Sequence, residues 1–340
     1  MDPTLPRIDL HRHLDGSVRL ETILDLGRRH GIELPAWDVA GLTPYVRVDQ
    51  RDPTVMAFIE RLRWMVCVLA DPDACRRIAY ENVEDAGREG LDYLELRFSP
   101  GFMAEAHRLD PVAVTGAVLD GIEAGERDFG VRTNAIGILS RTYGPEAGRR
   151  ELEALLQFRE RIVALDLAGD ETVRGELFVE HFRRARDAGW NLTVHAGEAC
   201  GADSVWQAIR GLGATRIGHA ARAIEDPALL DWMVEHRIGI EANLTSNVQT
   251  STVPDYASHP LHAYLERGIL ATLNSDDPGI SGITLAHEFE VAAPAAGLTS
   301  EQCRQAQRNA LEIAFLSPEE RGEVAARAAS RGRTLDPQAR

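Results

Sequence analysis

The chain alternates short runs of apolar and β-branched residues with longer stretches in which apolar residues recur every three or four positions. The short runs are bounded by polar or glycine-containing turns, which is typical of strands, and the longer spacing is typical of amphipathic helices. The pattern predicts eight strands, over residues 8–13, 93–98, 131–138, 163–168, 192–196, 216–219, 239–244 and 270–274. Helices are predicted between them, for example over 73–88, 146–161 and 226–236.

Strict alternation of strand and helix, without a proline-rich or low-complexity break, favours one domain over 1–340 with a parallel sheet. Eight such units predict a (β/α)8 TIM barrel. A doubly wound sheet is the alternative, but no G-x-G-x-x-G motif follows a predicted strand. Residues 17–70 are too many for one crossover and predict a helical insertion over the barrel mouth. Residues 299–331 predict two C-terminal helices.

Composition narrows the range of partners. The 340 residues include 37 basic and 53 acidic side chains, for a net charge of −16. An acidic chain lacks the clustered positive charge that nucleic-acid binding needs, so no nucleic-acid partner is expected. No apolar run approaches the length of a membrane span, and the first residues do not resemble a signal peptide. We therefore expect no membrane partner and a cytoplasmic location. The sequence does not predict an oligomeric state.

The chain contains no lysine, so every basic residue is arginine. This excludes lysine Schiff-base catalysis, a lysine-anchored pyridoxal cofactor, a Walker P-loop and a metal pair bridged by carboxylated lysine. The four cysteines form no C-x-x-C pair. A disulfide framework or a cysteine-rich zinc site is therefore not expected.

Polar, titratable residues lie where the predicted strands end. They are His11, His13, His195, Glu198, His219, Asp276 and Asp277. In a barrel, active sites are built at the C-terminal ends of the strands. The pair His11 and His13 shares one face of its strand, because residues two apart project the same way. Imidazole and carboxylate groups without thiolate favour a catalytic zinc that keeps one position open for water.

Each of these residues also has a simple structural explanation. His195 can be a core histidine, His219 a neighbour of a helix N-cap, and the Asp276–Asp277 pair an Asx-turn. If all of these structural explanations held, several polar groups that are costly to bury would lie on one rim of the barrel by chance. A functional site is therefore favoured. The remaining histidines are predicted at the surface: His30, His107, His181, His236, His259, His262 and His287.

At these residues the sequence resembles the adenosine deaminase family of bacterial type. The segments IDLHRHLDGSVR, LELRFSPG, LDLAGDE, TVHAGE, RIGHA, LTSNVQTSTV and LNSDDPG occur in the family's order over nearly the whole chain. The resemblance implies a zinc-bearing barrel of the amidohydrolase superfamily. It also implies hydrolysis of adenosine to inosine and ammonia, with 2′-deoxyadenosine as a further substrate, in purine salvage.

The resemblance also implies a role for each matched residue. It implies one zinc ion per chain, with His11, His13, His195 and Asp276 as its ligands. Glu198 would be the proton donor, and His219 would lie beside the attacking water with Asp276. The nucleoside would be held by His13, Asp15, Gly169 and Asp277, with Asp15 on a ribose hydroxyl and Asp277 and the Gly169 backbone on the purine.

The chemistry of these groups agrees with those roles. Zinc lowers the pKa of water, so that a nucleophile is available near neutral pH for attack at C6 of the purine. Attack places charge on N1, which Glu198 can protonate if burial raises its pKa. Either His219 or Asp276 can accept or orient the water's proton. Asp277 would have to be protonated to donate to purine N7, and the direction of its pKa shift is open at this point.

Three residues depart from the family's usual pattern: Ala220 in place of a glycine, Asn243 in place of a cysteine, and Ser275 in place of a threonine. None removes a ligand or the proton donor. Alternatives are deamination of adenine or aminodeoxyfutalosine, a zinc-dependent esterase or lactonase, and a non-catalytic nucleoside-binding protein. Asp15 and Gly218 favour the nucleoside substrate over adenine, since adenine deaminases tend to carry glutamate and aspartate there. A cytidine-deaminase zinc site is excluded, because H-x-E and P-C-x-x-C are absent.

Overall fold

The computed structural model describes residues 1–335, which form a barrel of eight parallel strands with helices on the outside. The strands follow one another around the barrel in chain order. They are β1 (Ile8–His13), β2 (Tyr93–Phe98), β3 (Arg132–Ser140), β4 (Ile162–Ala168), β5 (Asn191–Ala196), β6 (Arg216–His219), β7 (Gly239–Ala242) and β8 (Leu270–Leu273). The predicted (β/α)8 fold is confirmed. Residues 336–340 of the predicted domain lie outside the described residues.

The barrel closes at the loop that follows β8 rather than along the strand itself. The backbone amide of Asp276 donates to the carbonyl oxygen of His11, and the amide of His13 donates to the carbonyl oxygen of Asp276, both at 2.8 Å. This pairing forms a parallel bridge between Arg12 and Asp276. It brings the ends of β1 and β8 together at the mouth of the barrel.

Helices connect the strands and extend the fold at two places. Between β1 and β2 lie Leu20–His30, Val39–Val46, Val55–Ile59, Arg63–Val66 and Pro72–Glu89. The later connections contain Pro100–Glu105, Pro111–Phe129, Gly144–Leu156, Val179–Asp187, Ala202–Gln207, Pro227–Glu235, Leu244–Gln249 and Leu261–Arg267. After β8 come Pro278–Ser281, Leu285–His287, Ala293–Ala295, Ser300–Ile313 and Pro318–Leu335. The extra helices after the first strand and at the C-terminus are thus present.

Short 3-10 and π-helical segments complete the connections. The 3-10 segments are Glu60–Leu62, Arg141–Tyr143, Arg159–Arg161, Gly175–Phe178, Ala223–Glu225 and Tyr256–Ser258. The π-helical segments are Ala208–Leu212 and Glu288–Ala292. Among residues 1–335, no helix is both long enough and apolar enough to cross a membrane.

Two predicted elements end two or more residues earlier than the sequence pattern indicates. The seventh strand stops at Ala242 because the carboxylate of Glu288 accepts hydrogen bonds from the amides of Leu244 and Thr245, at 3.0 and 3.1 Å, and so begins a helix there. The helix predicted over 146–161 ends at Leu156 and is followed by a 3-10 turn. The contact with Glu288 is not visible in the pattern of apolar residues, which is why that pattern predicts too long a strand.

The inside of the barrel is ionic rather than apolar beneath the strand ends. Arg97 binds Asp166 at 2.8 Å and Glu241 at 2.7 Å, and Arg216 binds Glu241 at 2.7 Å and also Glu95. All five side chains are fully buried. Buried charges are costly unless they are paired, and here every carboxylate has a guanidinium partner. The network therefore forms a charged floor under the barrel mouth.

Candidate active site

The strand ends bring the predicted site residues to one point at the mouth of the barrel. His11 and His13 lie at the end of β1, His195 in β5, His219 at the end of β6, and Asp276 in the loop after β8. Ligand atoms of His11, His13, His195 and Asp276 all lie within 4.8 Å of one another. Residues far apart in the sequence thus form one compact cluster.

The spacing within this cluster fits a tetrahedral metal ion. Nε2 of His195 lies 3.0 Å from Nε2 of His11 and 3.1 Å from Nε2 of His13. Oδ1 of Asp276 lies 3.3 and 3.5 Å from the same two nitrogens. Zinc bonds of about 2.0–2.2 Å at tetrahedral angles separate ligand atoms by about 3.3–3.6 Å, and the separations here lie at or slightly below that range. The four residues can therefore hold one metal ion.

The far side of two of these rings is held by carboxylates. Nδ1 of His11 lies 2.5 Å from Oε2 of Glu241, and Nδ1 of His195 lies 3.0 Å from Oδ2 of Asp166. A carboxylate at Nδ1 fixes the proton there and leaves Nε2 free as a ligand, which is the usual arrangement at metal-binding histidines. Burial opposes ionisation of Glu241, but Arg97 and Arg216 hold the pKa of its carboxyl well below its ordinary value.

The charge of the site also suits a cation. If the imidazoles are neutral, the charged floor and the cluster together contain four buried carboxylates and two guanidiniums. The carboxylates are Asp166, Glu241, Glu95 and Asp276, and the guanidiniums are Arg97 and Arg216, so two negative charges remain. Burial lowers the pKa of His195 to about 4, so this imidazole is neutral near pH 7. Burial also opposes protonation of His13, but Asp277, Asp15 and Asp276 raise the pKa of its ring to about 9, so a metal ion would have to displace a proton from His13. A divalent cation would balance the two negative charges.

Glu198 lies just past the end of β5 and lines the same cavity as the cluster. Burial raises the pKa of its carboxyl well above the ordinary value, and the charges of Asp276 and Glu171 add to the rise. Burial and these charges therefore favour the protonated form of this carboxyl. A buried, protonated carboxyl that faces a cavity can act as a general acid.

The loop that carries Glu198 is fixed from behind by Glu171. The buried carboxylate of Glu171 accepts hydrogen bonds from the backbone amides of Gly197, Glu198, Ala199 and Cys200 and from the hydroxyl of Ser204. Successive amides that point at one carboxylate form a strong anion-binding turn. Glu171 therefore positions the loop without lining the cavity.

Asp277 follows Asp276 and lines the cavity. Burial and the neighbouring charge of Asp276 raise the pKa of its carboxyl well above the ordinary value, which answers the question that the sequence left open. Among the described residues its Oδ1 has no hydrogen-bond partner. A Cβ at Gly16 would lie 1.5 Å from that oxygen, so only glycine leaves room for the carboxyl. Asp277 therefore lines the cavity with a carboxyl whose Oδ1 is packed against Gly16.

The cavity above the cluster has a volume of about 370 Å³, within the range of pockets that bind small molecules. Its polar lining includes Asp15 and Gly169. Gly169 has φ of 101°, and a Cβ there would lie 2.5 Å from Oγ1 of Thr142, so this position of the lining requires glycine. The apolar wall comes from the insertion between β1 and β2, with Val55, Met56, Phe58, Ile59 and Leu62.

His219 is held by two asparagines rather than by a carboxylate. Its Nδ1 lies 2.9 Å from Nδ2 of Asn247 and 3.3 Å from Nδ2 of Asn243. His219 and Ala220 have φ of 63° and 50°, both in the left-handed region. A residue with a Cβ is strained there. This strain gives a physical reason for the glycine that the family usually has at the position of Ala220.

The sequence interpretation missed several residues of the site. Glu241 and Asp166 lie inside strands, and Glu171 and Asn247 read as ordinary loop or helix residues; a carboxylate inside a buried strand was the available signal. The surface prediction is wrong for His259, which is 3% exposed, and for His181, which is 8% exposed. His259 contacts Asn247, and His181 binds the carbonyl oxygen of Pro145, so each ring has a polar partner in the interior.

A sequence profile of the family described as adenosine deaminase matches residues 6–330. The chain belongs to this family. An adenosine deaminase of Vibrio parahaemolyticus is 58% identical over 321 residues, which cover 94% of this chain and 96% of the relative. The resemblance inferred from the motifs is confirmed.

Solved structures share the fold. Adenine deaminase from Arthrobacter aurescens superposes with a TM-score of 0.88 at 24% identity, covering 96% of this chain and 98% of its own. An amidohydrolase from Burkholderia ambifaria with bound zinc superposes with a TM-score of 0.86 at 25% identity, covering 98% of this chain and 92% of its own. At 24% identity the adenine deaminase shows the barrel fold alone.

Proposed function

We propose that the cavity binds one adenosine and that His11, His13, His195 and Asp276 hold one Zn²⁺ beneath it. Family membership and a 58% identical relative named adenosine deaminase make the reaction the hydrolytic deamination of adenosine to inosine and ammonia. The observation that carries the proposal is the placement of a buried, protonated Glu198 on the same cavity as the metal-binding cluster. Hydrolysis at an aromatic carbon needs both a nucleophile and an acid.

Zinc at this cluster would act as a Lewis acid and lower the pKa of water, which makes a nucleophile available near neutral pH. The two carboxylate oxygens of Asp276 have different neighbours in this cluster. Oδ1 of Asp276 faces the histidine ligands, whereas its Oδ2 lies 3.8 Å from Nε2 of His219. His219 and Asp276 therefore flank one position, where they can orient a water and take up its proton.

Glu198 would deliver its proton to N1 of the purine as the ring accepts the oxygen at C6. The ring nitrogen becomes strongly basic at that moment, and a neutral carboxyl in a desolvated pocket is poised to protonate it. The fixed loop above Glu171 keeps this carboxyl facing the cavity. Glu198, His219 and Asp276 are thus the proposed catalytic residues.

Four residues would hold the nucleoside. Asp277 can donate to N7, since its carboxyl lines the cavity and burial, with the charge of Asp276, raises its pKa and favours the protonated form. The Gly169 backbone would face the base, and Asp15 would accept from a ribose hydroxyl while His13 contacts the substrate beside it. The same contacts leave room for 2′-deoxyadenosine, which we propose as a second substrate in purine salvage.

An ammonia-release assay on the zinc-loaded protein tests the proposal. Adenosine and 2′-deoxyadenosine should be deaminated, and adenine and aminodeoxyfutalosine should be poor substrates. Ammonia release from aminodeoxyfutalosine at a higher kcat/KM than from adenosine would contradict the proposed substrate. Elemental analysis of the same sample should return one zinc per chain, because no lysine is present to bridge a second metal.

A further inference from the structure

A chain of hydrogen bonds leads from a backbone amide to the ring of His219. The amide of Leu261 donates to Nδ1 of His259 at 3.1 Å, and Nε2 of His259 lies 3.1 Å from Oδ1 of Asn247. Nδ2 of Asn247 lies 2.9 Å from Nδ1 of His219. All three side chains are buried, so water does not compete for these bonds.

The first bond sets the direction of all the others. A backbone amide can only donate, so Nδ1 of His259 must be the acceptor nitrogen of that ring. Burial lowers the pKa of His259 to about 3, and the neutral ring then carries its proton on Nε2. Nε2–H donates to an oxygen, which orients the amide of Asn247. The NH2 group of Asn247 then faces His219, and it too can only donate.

We propose that Asn247 and His259 are positioning residues that hold His219 in the tautomer with its proton on Nε2, facing the cavity. Nδ1 of His219 accepts the hydrogen bond from Asn247, so in the neutral ring the proton lies on the other nitrogen. Neither Asn247 nor His259 touches the substrate in this arrangement. They act through the ring of His219.

The other neighbours of Nδ1 do not reverse this assignment. Nδ2 of Asn243 lies 3.3 Å from the same nitrogen, but among the described residues its Oδ1 has no partner, so no further bond orients this amide. Oε1 of Glu198 lies at 3.5 Å, longer than an ordinary hydrogen bond. Asn243 is a weaker second contact, and Asn247 is the one whose amide is oriented by a further bond.

The tautomer divides the work between the two groups that flank the water position; this step rests on the proposed function. His219 with a proton on Nε2 cannot accept another proton there while neutral, so it donates a hydrogen bond to the oxygen that adds to C6. Oδ2 of Asp276 lies 3.8 Å from Nε2 of His219, so the donor nitrogen and this carboxylate flank the same position.

Nitrogen NMR of the zinc-loaded protein with 15N-labelled histidine tests the tautomer. The His219 signal, assigned by its loss in His219→Asn, should show a protonated Nε2 and an unprotonated Nδ1 at neutral pH. A protonated Nδ1 in the wild-type protein would overturn the proposal. The spectrum needs no substrate. A protein with the expected spectrum but no adenosine deamination would refute the proposed function alone.

Variants connect the tautomer to the reaction. Asn247→Asp presents only acceptors, so His219 must place a proton on Nδ1. We expect kcat to fall by about 10²–10⁴-fold, as when a catalytic histidine is held in the wrong tautomer, with KM and zinc content little changed. Unchanged kcat together with a protonated Nδ1 would contradict the role of the tautomer.

Three further variants guard against loss of folding in any one variant. His259→Gln keeps a donor for Oδ1 of Asn247 and should retain the wild-type spectrum, whereas His259→Leu should give a mixture of tautomers. Asn243→Ala removes the weaker contact and should leave the proton on Nε2. A mixture in His259→Gln, or a wild-type spectrum in His259→Leu, would show that His259 does not set the tautomer.

Discussion

The backbone amide of Glu198 donates a hydrogen bond of 3.2 Å to the carboxylate of Glu171, which lies 27 residues earlier in the chain. The two glutamates lie in the loops after β4 and β5 and have different roles. Glu171 accepts hydrogen bonds from the amides around it, whereas burial and nearby negative charge raise the pKa of Glu198. One fixes the geometry and the other is available to move a proton.

Replacing Glu171 with glutamine should weaken this loop. The surrounding N–H and O–H donors bind both oxygens of the Glu171 carboxylate, and glutamine has only one oxygen to accept them. We therefore expect the free energy of unfolding to fall by about 1.5–3 kcal/mol, and kcat to fall with it. Urea unfolding and steady-state kinetics check both effects. Glu180→Gln is the matched control, because Glu180 pairs with Arg183 on the surface, where such pairs contribute about 0–1 kcal/mol. Equal effects of the two variants would contradict the role of Glu171.

Glu198→Gln should separate the acid from the metal site. Glutamine keeps the size of the side chain but has no proton to give to N1, so we expect kcat to fall by about 10²–10⁴-fold or more. Zinc content should stay at one per chain. His195→Ala should instead lose zinc and activity together, because three ligands hold the ion poorly. Loss of zinc in Glu198→Gln would show that Glu198 is a ligand or a structural support.

The pH dependence should report the protonated state of Glu198. Its pKa is raised well above the ordinary value, chiefly by burial. The acid form is present below that pKa and is lost as the pH rises through it, so kcat/KM should fall on the alkaline side. The measurement is the pH profile of kcat/KM for adenosine. A profile that rises steadily with pH would indicate that the ionised form is active.

The ribose should contribute to catalysis through Asp15. Asp15 is buried and lines the cavity, and a site built to bind a hydroxyl discriminates strongly against a substrate without it. We expect kcat/KM for adenosine to exceed that for adenine by orders of magnitude. Asp15→Ala should reduce kcat/KM for adenosine and leave the low value for adenine unchanged. Comparable efficiencies on the two substrates in the wild-type protein would contradict the role of Asp15.

Ala220→Gly should relieve backbone strain beside His219. Ala220 has φ of 50°, and a Cβ in the left-handed region costs about 1–2 kcal/mol. The gain is offset in part by the greater freedom of glycine in the unfolded chain, which costs about 0.5–1 kcal/mol. We expect a small net increase in the free energy of unfolding, measured in urea. A marked decrease would show that the methyl group contributes packing that outweighs the strain.

The sequence predicted the barrel and the rim of the site for the same reason. Strands that are buried on both faces produce short apolar runs, and a polar residue at the end of such a run marks the point where the chain leaves the core. His11, His195 and Asp276 all follow that rule. The place of each strand along the chain and the polar residue near its end are local features of the sequence. Each can therefore be recognised in one segment without knowledge of the others.

The supporting residues could not be found in this way. Glu241 lies 230 residues from His11, and Asp166 lies 29 residues from His195. Their roles depend on which strands become neighbours in the closed barrel. His259 shows the same limit, because its burial follows from the packing of its segment against Asn247. Partner identity is set by tertiary contacts, which a single sequence does not contain.

The contact between the two ends of the barrel also bears on how the protein is made. Asp276 reaches His11 and His13 only where the loop after β8 pairs with β1. A chain emerging from a ribosome therefore carries two imidazoles from the start but lacks the carboxylate until most of its length has been synthesised. The complete ligand set therefore cannot assemble before Asp276 has been synthesised. We expect the metal to enter a barrel that has already closed, and its capture to be a late event in the maturation of the protein.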